Sequence, residues 1–210
     1  MMMDHAQIAV LAAIAASVFA ALVVPGPSSI AVMRASLTTG TRRGLATAAG
    51  VALGNSLYAT AAAFGLAAVI REAAPLLAAI KLLGGAYLVY LGLRLILSKK
   101  HGEVPIGGQS TIRLGHAFRR GLLIDLSNPK TMMAFLSIFA IVFPANPTHE
   151  LSLAVVAVIA CLSLSWHCLL ACLFARPALR RAYQGLSRWI DRLAGGIISA
   201  FGAAIAATSA

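Results

Sequence analysis

The chain has 210 residues, 60% of them hydrophobic and 11% charged, with a formal net charge of +11. An ordinary soluble domain carries about 25% charged residues, so this composition excludes a water-solvated globule and points to lipid as the solvent. The basic residues are spread over short connections with no aromatic platform between them, which excludes a nucleic-acid surface; attraction to anionic lipid headgroups accounts for them.

The first apolar run, residues 6 to 24, reads as a retained membrane helix. Its flank MMMDHAQ has no Lys or Arg, unlike a cleavable leader, and the run continues past a proline break. That break is VVPGPSSIA, residues 23 to 31. Proline lacks a backbone donor and clashes with the preceding turn, yet it suits the first position of a helix. Pro25 and Gly26 therefore end one helical piece and Pro27 starts another.

A second span covers 44 to 70, free of charge between Arg43 and Arg71. Ala46, Gly50 and Gly54 recur in it at four-residue spacing, a strip that lets a second helix approach closely, within one monomer or across a homodimer seam. Asn55 follows directly, placed to hydrogen-bond across helices or to touch a solute. The third span, 74 to 97, contains Lys81, and the stretch 98 to 116, rich in glycine, reads as a linker. A fourth span covers 120 to 143, a fifth 151 to 175 and a sixth 193 to 210. At about 1.5 Å rise per residue such runs can cross a hydrocarbon core of about 30 Å. The expected fold is all-α, a single membrane domain of six transmembrane helices divided by the linker into halves 1–97 and 117–210.

Basic residues set the orientation. Arg34, Arg42 and Arg43 follow span one; Arg94, Lys99, Lys100, Arg113, Arg119 and Arg120 follow span three; Arg176, Arg180, Arg181, Arg188 and Arg192 follow span five. The other connections hold only Arg71. By the positive-inside rule the three basic connections are cytoplasmic, which places both termini on the opposite side.

The fourth span repeats the device of the first. In SNPKT, residues 127 to 131, Asn128 is a good N-cap and Pro129 a good first helical residue. Three helices per half make the second half enter from the other side, so the halves would be inverted repeats with broken helices at Pro25 to Pro27 and at Asn128-Pro129. A helix start buried in lipid is costly unless it lines a cavity or meets an anion, and paired breaks of this kind point to a transporter's substrate site. Ordinary proline kinks are the alternative. Asp125 and Lys130 flank the second break inside an apolar span, where ionisable residues are functional candidates. Asp125 can carry a proton or hold an ammonium, and Lys130 can meet a carboxylate; a structural ion pair is the competing reading.

Cys161, Cys168 and Cys172 lie in one apolar window without CxxC spacing, and His167 beside them has no acidic neighbour, so neither a disulfide framework nor a metal site is expected. No cofactor is expected either. An enzyme would need a nucleophile and base or paired carboxylates at the membrane surface, and the five histidines are scattered.

Three stretches together resemble the LysE/RhtB family of amino-acid exporters: PGPSSIAVMRASLTTGTRRGLATAAGVALGNSLYATAAAFGLAAVI, KLLGGAYLVYLGLRL and AFRRGLLIDLSNPKTMMAFLSIF. The resemblance implies a bacterial cytoplasmic-membrane protein that moves amino acids or related metabolites outward, in exchange for protons, as a possible homodimer. Pro25, Gly26 and Pro27 match its first motif and Asn128, Pro129 and Lys130 its second. The chain departs from the pattern in one respect. Family members often have Asp where this chain has Asn55, and Asn where it has Asp125, so the acidic group has moved across the cavity if those positions face each other. A metal or inorganic-ion transporter and a non-catalytic scaffold are the remaining alternatives.

Overall fold

The computed structural model describes residues 4–66 and 113–176, with isolated helical positions between 82 and 97 and between 189 and 203. The expected third and sixth spans, Lys81 and most of the linker lie outside the described residues. The described residues form six α-helices and no strand: α1 (His5–Val23), α2 (Pro27–Thr39), α3 (Thr41–Thr60), α4 (Leu114–Leu126), α5 (Pro129–Val142) and α6 (His149–Phe174). A π-helical stretch, Ala61–Leu66, prolongs α3.

Local chemistry explains the boundaries. Asp4 and Gln7 form a reciprocal capping box that starts α1. The chain is extended at Val24, Gly26 is the N-cap of α2 and Pro27 its first residue, as the sequence leads one to expect. Gly40 ends α2 at a φ of 89°, a left-handed conformation that favours glycine. Asn128 caps α5 by accepting a hydrogen bond from the Lys130 backbone N–H at 3.1 Å, with Pro129 next in line. Thr148 does the same for α6 through the Leu151 N–H. Helix α4 begins at Leu114, ahead of the expected start at 120, because Arg119 and Arg120 occupy its exposed face instead of a loop. Hydropathy marks where a helix becomes apolar, not where its backbone becomes helical.

Helices α3 and α4 run parallel and nearly touch. A Cβ on Gly50 would fall on the Phe118 carbonyl, one on Gly121 would fall on the Thr47 carbonyl, and one on Gly54 would come within 2.6 Å of Asp125 Oδ2. Gly50 and Gly54 thus serve as the expected close-packing positions within the monomer. Ala46 is half-buried, and Thr47 provides the third contact of the strip with α4. Gly50→Val is expected to wedge these helices apart at a cost of about 1–3 kcal/mol or more, since both contacts are backbone and cannot move aside. Thermal unfolding of detergent-purified protein checks this. An unchanged midpoint would mean that α4 can retreat without loss.

Apolar side chains cover the outside. Only 17% of the most apolar window of α1 and 28% of that of α6 is buried, far less than a soluble protein's core helix would bury, and Ile8, Phe19, Leu153 and Leu169 all lie exposed. These two helices are long and apolar enough to cross a bilayer. Inside, two hydrophobic clusters stack along the bundle. One joins Ile14, Val18, Phe135, Phe139, Val155 and Ile159; the other joins Val32, Met33, Val51, Ala171 and Phe174. Between them lie the buried polar side chains Ser28, Asn55, Asp125, Asn128 and His167.

The two ends of the bundle differ in charge. Arg34 of α2 and Arg120 of α4 line one cleft, and the α2–α3 turn with Arg42 and Arg43, the start of α4 with Arg113 and Arg119, and the end of α6 with Arg176 lie toward the same end. At the other end the Gln7 amide donates to Thr148 at 3.2 Å and Phe64 stacks near His149.

Candidate functional site

The two helix breaks meet in the polar layer. Asp125 stands in the last turn of α4 with its side chain fully buried. Ser28, at the start of α2, donates its hydroxyl to Asp125 Oδ1 at 2.6 Å, and Thr131 of α5 donates to the same oxygen at 3.2 Å. Asn55 of α3 donates Nδ2 to Asp125 Oδ2 at 3.1 Å and to the Val51 carbonyl at 3.1 Å. Asn128 completes the network by donating to Ser28 Oγ at 2.9 Å. The carboxylate therefore lies at the positive end of α2, satisfied by neutral donors.

Lys130 takes the opposite place. Its ammonium donates to the Ala21 carbonyl at 3.0 Å and the Val24 carbonyl at 2.6 Å, the orphan acceptors at the C-terminal end of α1. The structural ion pair weighed from sequence is not the arrangement found. Each charge instead serves a helix end in the other half of the chain: the acid from the end of α4 sits at the start of α2, and the base from the start of α5 sits at the end of α1. Gly26 makes this possible, because a Cβ there would come within 3.1 Å of Lys130 Cδ and 3.2 Å of Nζ.

A cavity opens beside this cross-over. Gly26, Ser28, Asn55, Asp125, Asn128 and Lys130 all line it, so most of the expected substrate or coupling residues converge on one place. Pro25 and Pro27 flank the break, and Pro129 starts α5 behind Asn128. The cavity has a volume of about 30 Å³, room for one or two water molecules.

Three further participants escaped sequence reasoning, and a fourth, His167, was weighed only as a metal ligand. Ser28 and Thr131 look like ordinary hydroxyl residues in sequence, although Ser28 sits in the Pro-Gly-Pro-Ser stretch already singled out. Tyr58 donates to the Leu126 carbonyl at 2.7 Å, supporting the end of α4. His167 lines the cavity from α6 and is 1% exposed. No cluster of metal-ligating side chains occurs among the described residues.

A family model described as LysE type translocator matches residues 19–209. The chain belongs to this family. It is 31% identical over 185 residues to the threonine efflux protein of Escherichia coli K12, which covers 87% of this chain and 90% of that protein. It is 35% identical over 178 residues to the uncharacterized membrane protein YahN of the same bacterium, covering 84% of this chain and 80% of that one. An uncharacterized membrane protein of Haemophilus influenzae is 31% identical over 188 residues, covering 86% and 88%. No solved structure matches.

Membership of the LysE type translocators makes this a membrane transport protein, in agreement with the resemblance seen in the sequence. It also gives meaning to the Asn55–Asp125 contact. The two positions singled out by the resemblance, Asn55 and Asp125, do face each other, at hydrogen-bond distance.

Proposed function

We propose that this translocator exports an amino acid across the bacterial cytoplasmic membrane in exchange for protons, and that Asp125 is the group the two share. One observation carries the reading: Asp125 is a fully buried carboxylate between two apolar layers that among the described residues has only neutral hydrogen-bond donors and no cation at ion-pair distance, while the nearby ammonium is committed to α1. A carboxylate without a counter-cation at that depth is costly even when neutral groups hydrogen-bond it. A proton or the ammonium of an amino acid relieves the cost, and either one excludes the other, which is the logic of antiport. The name of the threonine efflux relative favours an amino acid as the solute.

The same reading takes α1 with α2, and α4 with α5, as two broken crossings in inverted three-helix repeats, six spans in all. The crossed capping by Asp125 and Lys130 supports the inversion, since each half does the same service for the other. The arginine-rich end is the cytoplasmic end, so both termini face outward. A cysteine placed after Ser209 is expected to react with an impermeant reagent on intact spheroplasts; labelling only after permeabilisation would overturn the topology. A homodimer is compatible with the exposed apolar faces of α1 and α6, and lipid covers them otherwise.

The test of function is a solute screen in inside-out vesicles with an acid interior. Accumulation of one or a few amino acids, abolished by an uncoupler, is the expected result. No accumulation of any amino acid, with folded protein in the membrane, would move the assignment to a different solute class.

A further inference from the structure

The cleft at the arginine-rich end has no part in the chemistry of Asp125. Arg34, Thr38 and Thr39 of α2, Thr47 of α3, and Ala117 and Arg120 of α4 line it, so two guanidiniums from different helices share one space. Both arginines are exposed. No carboxylate answers them among the described residues: Asp125 is held in the polar layer, while Asp4 and Glu150 lie at the starts of α1 and α6, at the opposite end. The threonine hydroxyls add no donor, because each spends its one hydrogen on a carbonyl four residues back: Thr38 on Arg34 at 2.8 Å, Thr39 on Ala35 at 2.7 Å and Thr47 on Arg43 at 2.9 Å. Two like charges lining one cleft repel, and an oxyanion between them relieves the cost.

Depth and neighbours decide which oxyanion. Helix α2 leads from the polar layer toward the arginine-rich end and α4 leads back, so at about 1.5 Å per residue Arg34 and Arg120 stand about 7 to 9 Å along their helices from Ser28 and Asp125. With the polar layer near the middle of a hydrocarbon core about 30 Å thick, a long arginine stem carries its charge from there toward the headgroups. One turn nearer the polar layer, on the same sides of the two helices, Ile30 is 47% exposed and Leu123 is 54% exposed. Charged forks above exposed aliphatic side chains match a phospholipid, whose phosphate and acyl chains follow in the same order. A solute on its way to Asp125 fits less well. The cleft is floored by the buried Thr47 and Ala117, and one turn deeper the backbones of α3 and α4 meet, since a Cβ on Gly121 would fall on the Thr47 carbonyl. An anion that enters between the arginines stays there.

We propose that this cleft is a binding site for the phosphate of one anionic phospholipid, gripped by Arg34 and Arg120, and that the bound lipid joins α2 to α4 on the arginine-rich side of the Ser28–Asp125 hydrogen bond. A guanidinium fork matches two oxygens of a phosphate, and basic pockets between membrane helices suit such headgroups. The site does not depend on which solute is carried.

The experiment follows thermal unfolding of the purified protein in non-ionic detergent, alone and with phosphatidylglycerol, with phosphatidylcholine of the same acyl chains, or with inorganic phosphate. Phosphatidylglycerol is expected to raise the midpoint by about 5 °C or more near saturation. Phosphatidylcholine, whose phosphate carries its own cation, and inorganic phosphate, which has no acyl chain, are expected to leave it unmoved. Arg34→Gln with Arg120→Gln is expected to remove the shift, whereas Arg42→Gln with Arg119→Gln, which takes the same charge from the same end outside the cleft, is expected to keep it. No shift with phosphatidylglycerol in the wild type, a shift that survives Arg34→Gln with Arg120→Gln, or equal loss in both double variants would overturn the site. An equal rise with inorganic phosphate would overturn the assignment to lipid. If the first double variant does not fold, Arg34→Lys with Arg120→Lys decides, since it keeps the charge without the forks: loss of at least half of the shift supports the proposal, and a full shift refutes it.

Discussion

Asp125→Asn is expected to reduce gradient-driven accumulation to the level of vesicles that lack the protein, while leaving a folded protein in the membrane. The substitution keeps the side chain's shape and removes the one charge that a proton and a substrate ammonium can both satisfy. Its cost to folding is modest, because Ser28 and Thr131 can still donate to the remaining carbonyl oxygen. On the other side the new amide would confront the Asn55 amide, which is itself held by the Val51 carbonyl at 3.1 Å. That conflict suggests a rescue. Asn55→Asp combined with Asp125→Asn restores one carboxylate and one amide across the same gap, and partial recovery of transport is expected from the double variant but from neither single one. Wild-type accumulation by well-folded Asp125→Asn would remove the carboxylate from the mechanism.

Lys130→Met is expected to damage the fold itself. The ammonium satisfies two carbonyls at the end of α1 where the chain turns through Pro25 and Gly26. A methionine fills the space of the stem but leaves both acceptors unpaired, at about 1–3 kcal/mol each, and removes the positive charge that favours a helix C-terminus. Arginine is not expected to substitute well. Its planar guanidinium is wider than an ammonium, and the space beside Gly26 is already close, with Lys130 Nζ 3.2 Å from where a Cβ would stand. Thermal unfolding in detergent, compared with wild type and with Asp125→Asn, separates the two roles: a large drop is expected for Lys130→Met and a small one for Asp125→Asn. A Lys130→Met protein with wild-type melting and transport would show that α1 ends without help from α5.

Both breaks were legible in the sequence because proline and its neighbours act locally: Gly26-Pro27 and Asn128-Pro129 impose helix starts whatever surrounds them. The glycines of α3 were legible as a packing strip, because only a small residue tolerates a second backbone at that distance. The crossed service of the charges was not. Asp125 and Lys130 are close in sequence, which invites an ion pair, and only the folded chain reveals that Ser28, Ala21 and Val24 are their partners. His167 was passed over for a similar reason. Beside Cys168 and Cys172 it invites a question about metals, whereas its actual setting is decided by Ser163 on its own helix and by a cavity formed from α1, α2, α3, α4 and α5. The start of α4 was placed late because arginines on an exposed helical face look like a loop to a hydropathy reading.

The most direct test of the central claim, that one buried carboxylate exchanges a proton for an amino acid, is the internal pH of liposomes containing the purified protein. When threonine, or whichever amino acid the vesicle screen identifies, is added outside with no initial pH difference, inward movement of the amino acid should drive protons outward and make the lumen alkaline. Liposomes with Asp125→Asn should show neither movement. Entry of the amino acid with no change in internal pH, in a membrane shown to be tight to protons, would contradict the exchange and leave a carrier that works without proton coupling.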